Sequence, residues 1–340
     1  MPSMDRIIER DFSKEIISDT EIRDCADSIK KVKQEIARIV VGQEEVIDGL
    51  IRGLICDGHV LLEGVPGVAK TLLIRTIAQA MGCKFSRIQF TVDLLPADIT
   101  GITTYTPGHG FETIKGPIFA NFIIADEINR APPKTQSALL EAMQEKQVTI
   151  GKETFKLSPP FFVMANNNPI ESSGTYRLPE AQIDRFLFKL KMGYPTIEEE
   201  EKIIDQNITS NEFDDFDIKK ILSGEKIIKL QKLCHDIGSS SQIKKYIVRI
   251  VDSSRNPHKY NLKLGKYIEW GASPRASIAL NMAGKADALI KGQKNATPQN
   301  IKNICHDVLR HRIILNYEGQ AENISSESII DEILSKVKIP

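Results

Sequence analysis

Lys70 and Thr71 end the run Gly64-Val-Pro-Gly-Val-Ala-Lys-Thr71, a glycine-rich turn closed by an ammonium and a hydroxyl. Successive N–H groups of such a turn, together with the positive end of a following helix, face an anion. A lysine at this position reaches the β and γ phosphates of a nucleotide, and the threonine hydroxyl can ligate magnesium. Two adjacent acids, Asp126 and Glu127, end the apolar run Asn121-Phe-Ile-Ile-Ala. At the carboxyl end of a buried parallel strand, the first can hold magnesium and the second can orient and deprotonate a water. Another apolar run, Phe161 to Ala165, ends in Asn166-Asn-Asn-Pro169, where an asparagine can hydrogen-bond both a γ phosphate and the attacking water. Each feature has a plainer counterpart: a turn that closes a strand–helix unit, an acidic helix cap, a turn residue before proline.

Two positions stand out against general patterns. The phosphate-loop fingerprint has a second glycine before its lysine, and here that position is Ala69. Alanine suits the site if residue 69 has right-handed helical angles, because glycine is indispensable only where φ is positive. Arg275, in Gly271-Ala-Ser-Pro-Arg-Ala276, stands at a helix start, where the dipole favours anions, and a phosphate partner accounts for it.

These side chains require a sheet whose strands end together. His59–Glu63 reads as the first strand, and Leu73, Ile77, Ala80 and Met81 recur at helical spacing after the loop. Lys84–Phe90 alternates as a second strand, and Leu94–Gly101 predicts a short helix. Segment 102–117, with Pro-Gly-His-Gly at 107–110, predicts a hairpin, and Gln147–Leu157 predicts another about Gly151-Lys152. Leu178–Leu190 supplies a short helix and a fifth strand, with Arg185 at their junction. Ahead of the first strand, the stripes Ile22 to Ile39 and Val46 to Ile55 predict two amphipathic helices separated by Val40-Val41-Gly42-Gln43. Beyond Tyr194-Pro195 the chain turns helical, with Thr297 as an N-cap and Pro298 at the first helical position of one helix. The expected architecture is α/β, a five-stranded parallel sheet flanked by helices with two inserted hairpins, followed by an all-α lid. The expected divisions are an extension over 1–20, a core over 21–195 and a helical domain over 196–340.

Composition narrows the function classes. With 45 basic and 45 acidic residues there is no global field to draw nucleic acid or an anionic bilayer. Five widely spaced cysteines, Cys25, Cys56, Cys83, Cys234 and Cys305, form no disulfide framework or zinc spacing, which fits a reducing cytosol. No apolar run approaches a membrane span or a signal-peptide core, so the expected location is cytoplasmic.

The order of parts resembles the MoxR family of AAA+ ATPases, in the branch with a helix-2 insert and a hairpin before the sensor asparagine. The resemblance rests on Gly64–Thr71, Asp126-Glu-Ile-Asn-Arg-Ala131, Leu139-Leu-Glu-Ala-Met-Gln-Glu145, Gly174-Thr-Tyr-Arg-Leu-Pro-Glu-Ala-Gln182, Asp184-Arg-Phe186 and Gly271–Ala276, and it covers roughly residues 30–315. It implies a P-loop NTPase core that binds ATP and Mg2+. Gly64, Val65, Pro66, Gly67, Val68, Ala69, Lys70, Thr71 and Leu72 would form the phosphate loop, with Thr71 and Asp126 toward the metal and Lys70 and Glu127 catalytic. Asn168 is similar to the family's sensor asparagine, with Asn167 taking that role if the register is off by one. Val41, Gly42 and Gln43 match an adenine-pocket stretch. Arg185 looks like the arginine finger that reaches a neighbour's γ phosphate, and Arg275 like a second sensor, acting within its own subunit or across the boundary. Ala69 is usual in the family. Asn166-Asn-Asn168 departs from the commoner Thr-Gln-Asn, and Arg177 stands where proline is common.

The implied function is magnesium-dependent ATP hydrolysis in a homo-oligomeric ring, expected to be a hexamer, that remodels or matures client proteins. Such clients often carry von Willebrand factor A domains that hold a metal. Two alternatives belong to other classes. A DNA-acting motor or helicase loader would need basic or stacking hairpin tips, and here Lys152 and Lys156 are offset by Glu153 while the first hairpin offers His109. A nucleotide-gated scaffold with little turnover is the other.

Overall fold

The computed structural model describes residues 18–65, 67–108, 110–167, 176–205, 213 and 216–340. Pro66, His109, residues 168–175 with Asn168 and Gly174, residues 1–17 of the extension expected over 1–20, and most of 206–215 lie outside the described residues.

Ser18 opens the first helix with a capping box, its hydroxyl accepting from the Glu21 N–H while the Glu21 carboxylate reaches back. Helices α1 (Asp19–Ala37) and α2 (Glu44–Ile55) precede strand β1 (Val60–Gly64) and helix α3 (Lys70–Ala80). There follow β2 (Phe85–Gln89), α4 (Pro96–Thr100), the hairpin β3 (Gly101–Thr106) and β4 (Gly110–Lys115), β5 (Phe122–Asp126) and α5 (Pro133–Glu145). A second hairpin, β6 (Gln147–Ile150) and β7 (Glu153–Lys156), leads to β8 (Phe162–Asn167), α6 (Glu180–Ile183), β9 (Phe188–Met192) and α7 (Ile197–Asp205). The remainder comprises α8 (Gly224–Asp236), α9 (Ser241–Arg255), β10 (Ile268–Trp270), α10 (Pro274–Ile290), α11 (Pro298–Leu309), β11 (Ile314–Leu315), α12 (Tyr317–Ala321) and α13 (Ser326–Lys336).

Among the described residues, five parallel strands form one sheet in the order β2-β5-β8-β1-β9. Strand alternation divides its side chains between two cores. Val60, Leu62, Phe122, Ile124, Phe162, Met164, Phe188 and Leu190 join α1–α3 and the later helices in one buried cluster. Leu61, Ile123, Ala125, Val163 and Ala165 pack on the other face with α4, α5 and the second hairpin. Both faces are covered, which is why β5 and β8 read as unbroken apolar runs.

The C-terminal helices dock on the sheet side through polar struts as well as apolar contact. Gln231 of α8 donates to the Leu54 carbonyl at 2.9 Å, and Arg52 of α2 pairs with the buried Asp287 of α10 at 3.0 Å. Thr297 and Pro298 start α11 as their types predict. β10 and β11 add a short antiparallel ladder to an otherwise helical region, below the length at which alternation shows in sequence. No helix among the described residues is long and apolar enough to cross a membrane, and the five cysteines are free thiols.

Candidate active site

Parallel strands bring their carboxyl ends to one edge, and four of the predicted segments meet there. Register fixes the neighbours: Gly64 lies opposite Met192, Glu63 opposite Asn167, and Gln89 opposite Asp126. Val65 follows β1, and Thr71 and Leu72 lie half-buried in the first turn of α3. A side chain at Gly64 would strike the Met192 carbonyl at 2.7 Å, so only glycine fits beneath the loop. Gly67 has φ +82° with open space around it, so glycine is required there by backbone conformation alone.

Ala69 corrects the expectation of right-handed angles. It is left-handed, φ 58° and ψ 33°, at the N-cap of α3. From that position its carbonyl accepts the first helical hydrogen bond, from Leu73 N–H at 3.0 Å. A left-handed alanine costs about 1–2 kcal/mol. Val68 packs partly buried on the core beside it.

Lys70 is half-buried and donates to the Gly64 carbonyl. Burial pulls its ammonium below the usual lysine range, against the opposing field of Asp126, Glu127 and Glu63. The ammonium thus rests on its own strand end, among carboxylates, where an anionic phosphate oxygen would be a stronger acceptor.

The acid pair is held by residues that the sequence reading did not single out. Asn166, fully buried, donates through Nδ2 to Asp126 Oδ1 at 2.6 Å, and its Oδ1 accepts from the Glu127 N–H at 2.7 Å. Glu127 is left-handed, φ 57° and ψ 49°. Arg87 of β2 reaches Asp126 Oδ2 at 2.5 and 3.1 Å. Arg130 pairs with Glu127 at 2.8 Å, and Gln89 donates to the same carboxylate at 3.2 Å. Period-two spacing puts Arg87 and Gln89 on one face of β2, which is the signal that could have found them. Asn167, at the end of β8, keeps a buried Oδ1 with no hydrogen-bond partner. Asn168 lies outside the described residues.

Val41, Gly42 and Gln43 belong to the same edge. Gln43 donates to the Gly193 carbonyl at 3.1 Å, just past β9, and the Glu199 carboxylate of α7 lies against Gly42.

The donor set fits a magnesium nucleotide. Gly67 and Ala69 of the loop have positive φ, and Thr71 and Asp126 offer hard oxygen donors. Among the described residues no cluster of three or more acidic, histidine or cysteine side chains could cage a metal. Magnesium suits such a site, because it takes one or two protein oxygens and fills its shell with phosphate and water.

Two arginines are elsewhere. Arg185 precedes β9, so it lies beyond the amino ends of strands whose carboxyl ends carry Lys70. The span from Val60 to Gly64 alone separates the two edges by about 13 Å. Arg185 is exposed, with Nη1 3.4 Å from the Leu140 carbonyl. Arg275, also exposed, lies in the first turn of α10, whose N-cap Ser273 accepts from the Arg275 N–H. Its guanidinium lies 3.5 Å from the Asp184 carboxylate. Arg185, Arg275, Arg312 and Asp184 share the wall of a cavity of about 450 Å³. The geometry therefore brings Lys70, Thr71, Asp126, Glu127 and residues 41–43 together, and puts Arg185 and Arg275 together on the other side.

The model of the ATPase family associated with various cellular activities (AAA) matches residues 59–188, and an AAA lid domain model matches 265–333. The chain is 46% identical over 309 residues to chaperone MoxR1 of Mycobacterium tuberculosis, covering 90% of this chain and 81% of that one. It is 44% identical to YeaC of Bacillus subtilis, covering 91% and 94%. A crystal structure of a Cytophaga hutchinsonii protein superposes with a TM-score of 0.88 at 45% identity, over 94% of this chain and 97% of the other.

Proposed function

Because the chain belongs to the MoxR family of AAA+ ATPases, we propose that it hydrolyses ATP with magnesium at a site completed only between subunits of a ring. One observation carries this reading: the phosphate loop and acid pair occupy one edge of the sheet, and the two arginines occupy the opposite side. Within one subunit Arg185 cannot approach a phosphate on Lys70. Head-to-tail packing of identical subunits would set one chain's arginines against the next chain's phosphate loop, the heterologous contact that generates rings.

In this reading Lys70, the loop N–H groups and the start of α3 bind and orient the triphosphate, and residues 41–43 line the base. Magnesium, when bound at Thr71 and Asp126, supplies neutralisation of phosphate charge. Glu127 aligns the attacking water and takes its proton, assisted by the sensor asparagine, Asn168 or Asn167. Arg185 and Arg275 stabilise the charge that develops on the neighbour's phosphoryl group. Residues 21–195 form the ATPase core and 196–340 the lid, and each family model falls within one of them. The ring, a hexamer in this proposal, acts in the cytoplasm to remodel client proteins, such as those with von Willebrand factor A domains. Exposed Tyr105 and Phe111, paired at 5.2 Å with tilted rings on the first hairpin, offer clients an apolar contact.

Glu127→Gln should retain ATP affinity and lose turnover, whereas Lys70→Ala should lose binding. Unchanged hydrolysis in both variants would sink the site assignment. Single-turnover hydrolysis by the wild type separates the enzyme from a scaffold that only binds.

A further inference from the structure

Arg312 follows α11 and is buried, yet it carries a full charge. Such a group is stable only when charge-paired and hydrogen-bonded throughout. Its partners are almost all in one place. Nε donates to Asp184 Oδ1 at 2.8 Å, Nη2 to the carbonyls of Phe186 and Asp184 at 2.7 and 3.3 Å, and Nη1 to the Leu187 carbonyl at 3.1 Å. A remaining bond, from Nη1 to the Val308 carbonyl at 2.5 Å, holds the fork to its own helix. His311 adds a contact of 3.2 Å to the Phe186 carbonyl. These acceptors flank Arg185 on both sides. The other oxygen of Asp184 accepts from Ser273, the N-cap of α10, at 3.0 Å, and lies 3.5 Å from Arg275.

We propose that Arg312 and Asp184 are positioning residues that lock the Arg185 loop to the starts and ends of two lid helices, so that Arg185 and Arg275 are presented to the neighbouring subunit as one rigid unit. The inference rests on the reading of Arg185 as a group that acts across a subunit boundary. Arg312 is enclosed and fully engaged by protein acceptors, so it acts through Arg185 rather than on nucleotide. It also makes lid position a determinant of finger position: a lid that shifts on its own subunit's nucleotide moves the finger offered to the next.

The test separates damage to a subunit's own site from damage to the finger it lends. Arg312→Lys keeps a positive charge but lacks the planar fork that holds Asp184 and three carbonyls together. Asp184→Asn, which keeps side-chain shape and an acceptor, is measured beside it so that the outcome does not depend on one variant's fold. Each should lose turnover by about 10²-fold through finger misplacement, with the KM for ATP unchanged. Mixed with Glu127→Gln subunits, whose sites are inactive but whose fingers are intact, each variant should regain turnover, because its own phosphate loop then faces a well-placed Arg185. Arg185→Ala mixed with Glu127→Gln is the control. Rescue of the control without rescue of Arg312→Lys and Asp184→Asn overturns the positioning role and leaves the shared site standing. Failure of the control overturns the shared site itself. Wild-type turnover in Arg312→Lys also overturns the proposal.

Discussion

Replacing Asn166 by alanine probes how the acid pair is held. The side chain is buried and makes two hydrogen bonds, one to the Asp126 carboxylate at 2.6 Å and one from the Glu127 N–H at 2.7 Å. A bond to a charged group contributes about 1.5–3 kcal/mol and a neutral one about 1 kcal/mol, so the loss should be about 3 kcal/mol. At roughly 2 °C per kcal/mol for a chain of this size, the melting temperature should fall by about 6 °C. The larger effect should be on hydrolysis. Glu127 is held left-handed at a cost of about 1–2 kcal/mol, and the Asn166 acceptor is what fixes its N–H. Released, residue 127 relaxes and its carboxylate leaves the water position, which should lower kcat by about 10²-fold. ATP affinity should change little, because Lys70 and the loop are untouched. Thermal melting, nucleotide titration and steady-state hydrolysis measure the three quantities. An alanine variant with unchanged melting and unchanged kcat would refute the reasoning.

Ala69→Gly should leave ATP affinity intact and melt at or slightly above the wild type, since relief of about 1–2 kcal/mol of left-handed strain outweighs the added chain entropy. Ala69→Val should lose nucleotide binding, and normal binding there would show that the left-handed angles are dispensable. Trp270 is the single tryptophan and is exposed on the rim of a cavity that also holds Asp184 and Arg312, so its fluorescence should shift blue with protein concentration in the ATP-bound Glu127→Gln form; a concentration-independent spectrum argues against burial of that face on assembly. Glu327 is held down to about 2 from an ordinary 4.5: partial burial opposes the shift, and the Lys191 ammonium and hydrogen bonds from the start of α13 outweigh it. Its folded pKa is depressed, so its stabilisation is complete above about pH 4.5 and is lost as pH falls toward 2. Glu327→Gln should flatten the acid side of a plot of melting temperature against pH, and an unaltered slope would count against the pairing.

The fold was legible because its strongest signals are periodic. Phe122–Ala125 and Phe162–Ala165 are buried on both faces and read as continuous apolar runs, and the two hairpins show period-two arms about glycine turns. The phosphate loop and acid pair were legible because their chemistry needs particular residue types at the ends of such strands. Asn166 was not singled out from its two neighbours, because nothing in a run of three asparagines says which one faces inward; the strand register decides that. The left-handed backbone at Ala69 was not legible because residue type gives only a preference for backbone angles. Arg312 was invisible for a different reason. Its partners in that loop lie 125 to 128 positions away in the chain, at Asp184 to Leu187, and no local pattern marks a residue by the loop it holds.

The central claim is that Lys70, Asp126 and Glu127 of one subunit act with Arg185 of the next. Steady-state ATP hydrolysis per subunit, measured across a wide range of protein concentration for the wild type and for Arg185→Ala, tests it most directly. The shared site predicts specific activity that rises with concentration to a plateau in the wild type and stays at a low, concentration-independent level in Arg185→Ala. Constant specific activity in the wild type, matched by Arg185→Ala, would contradict it.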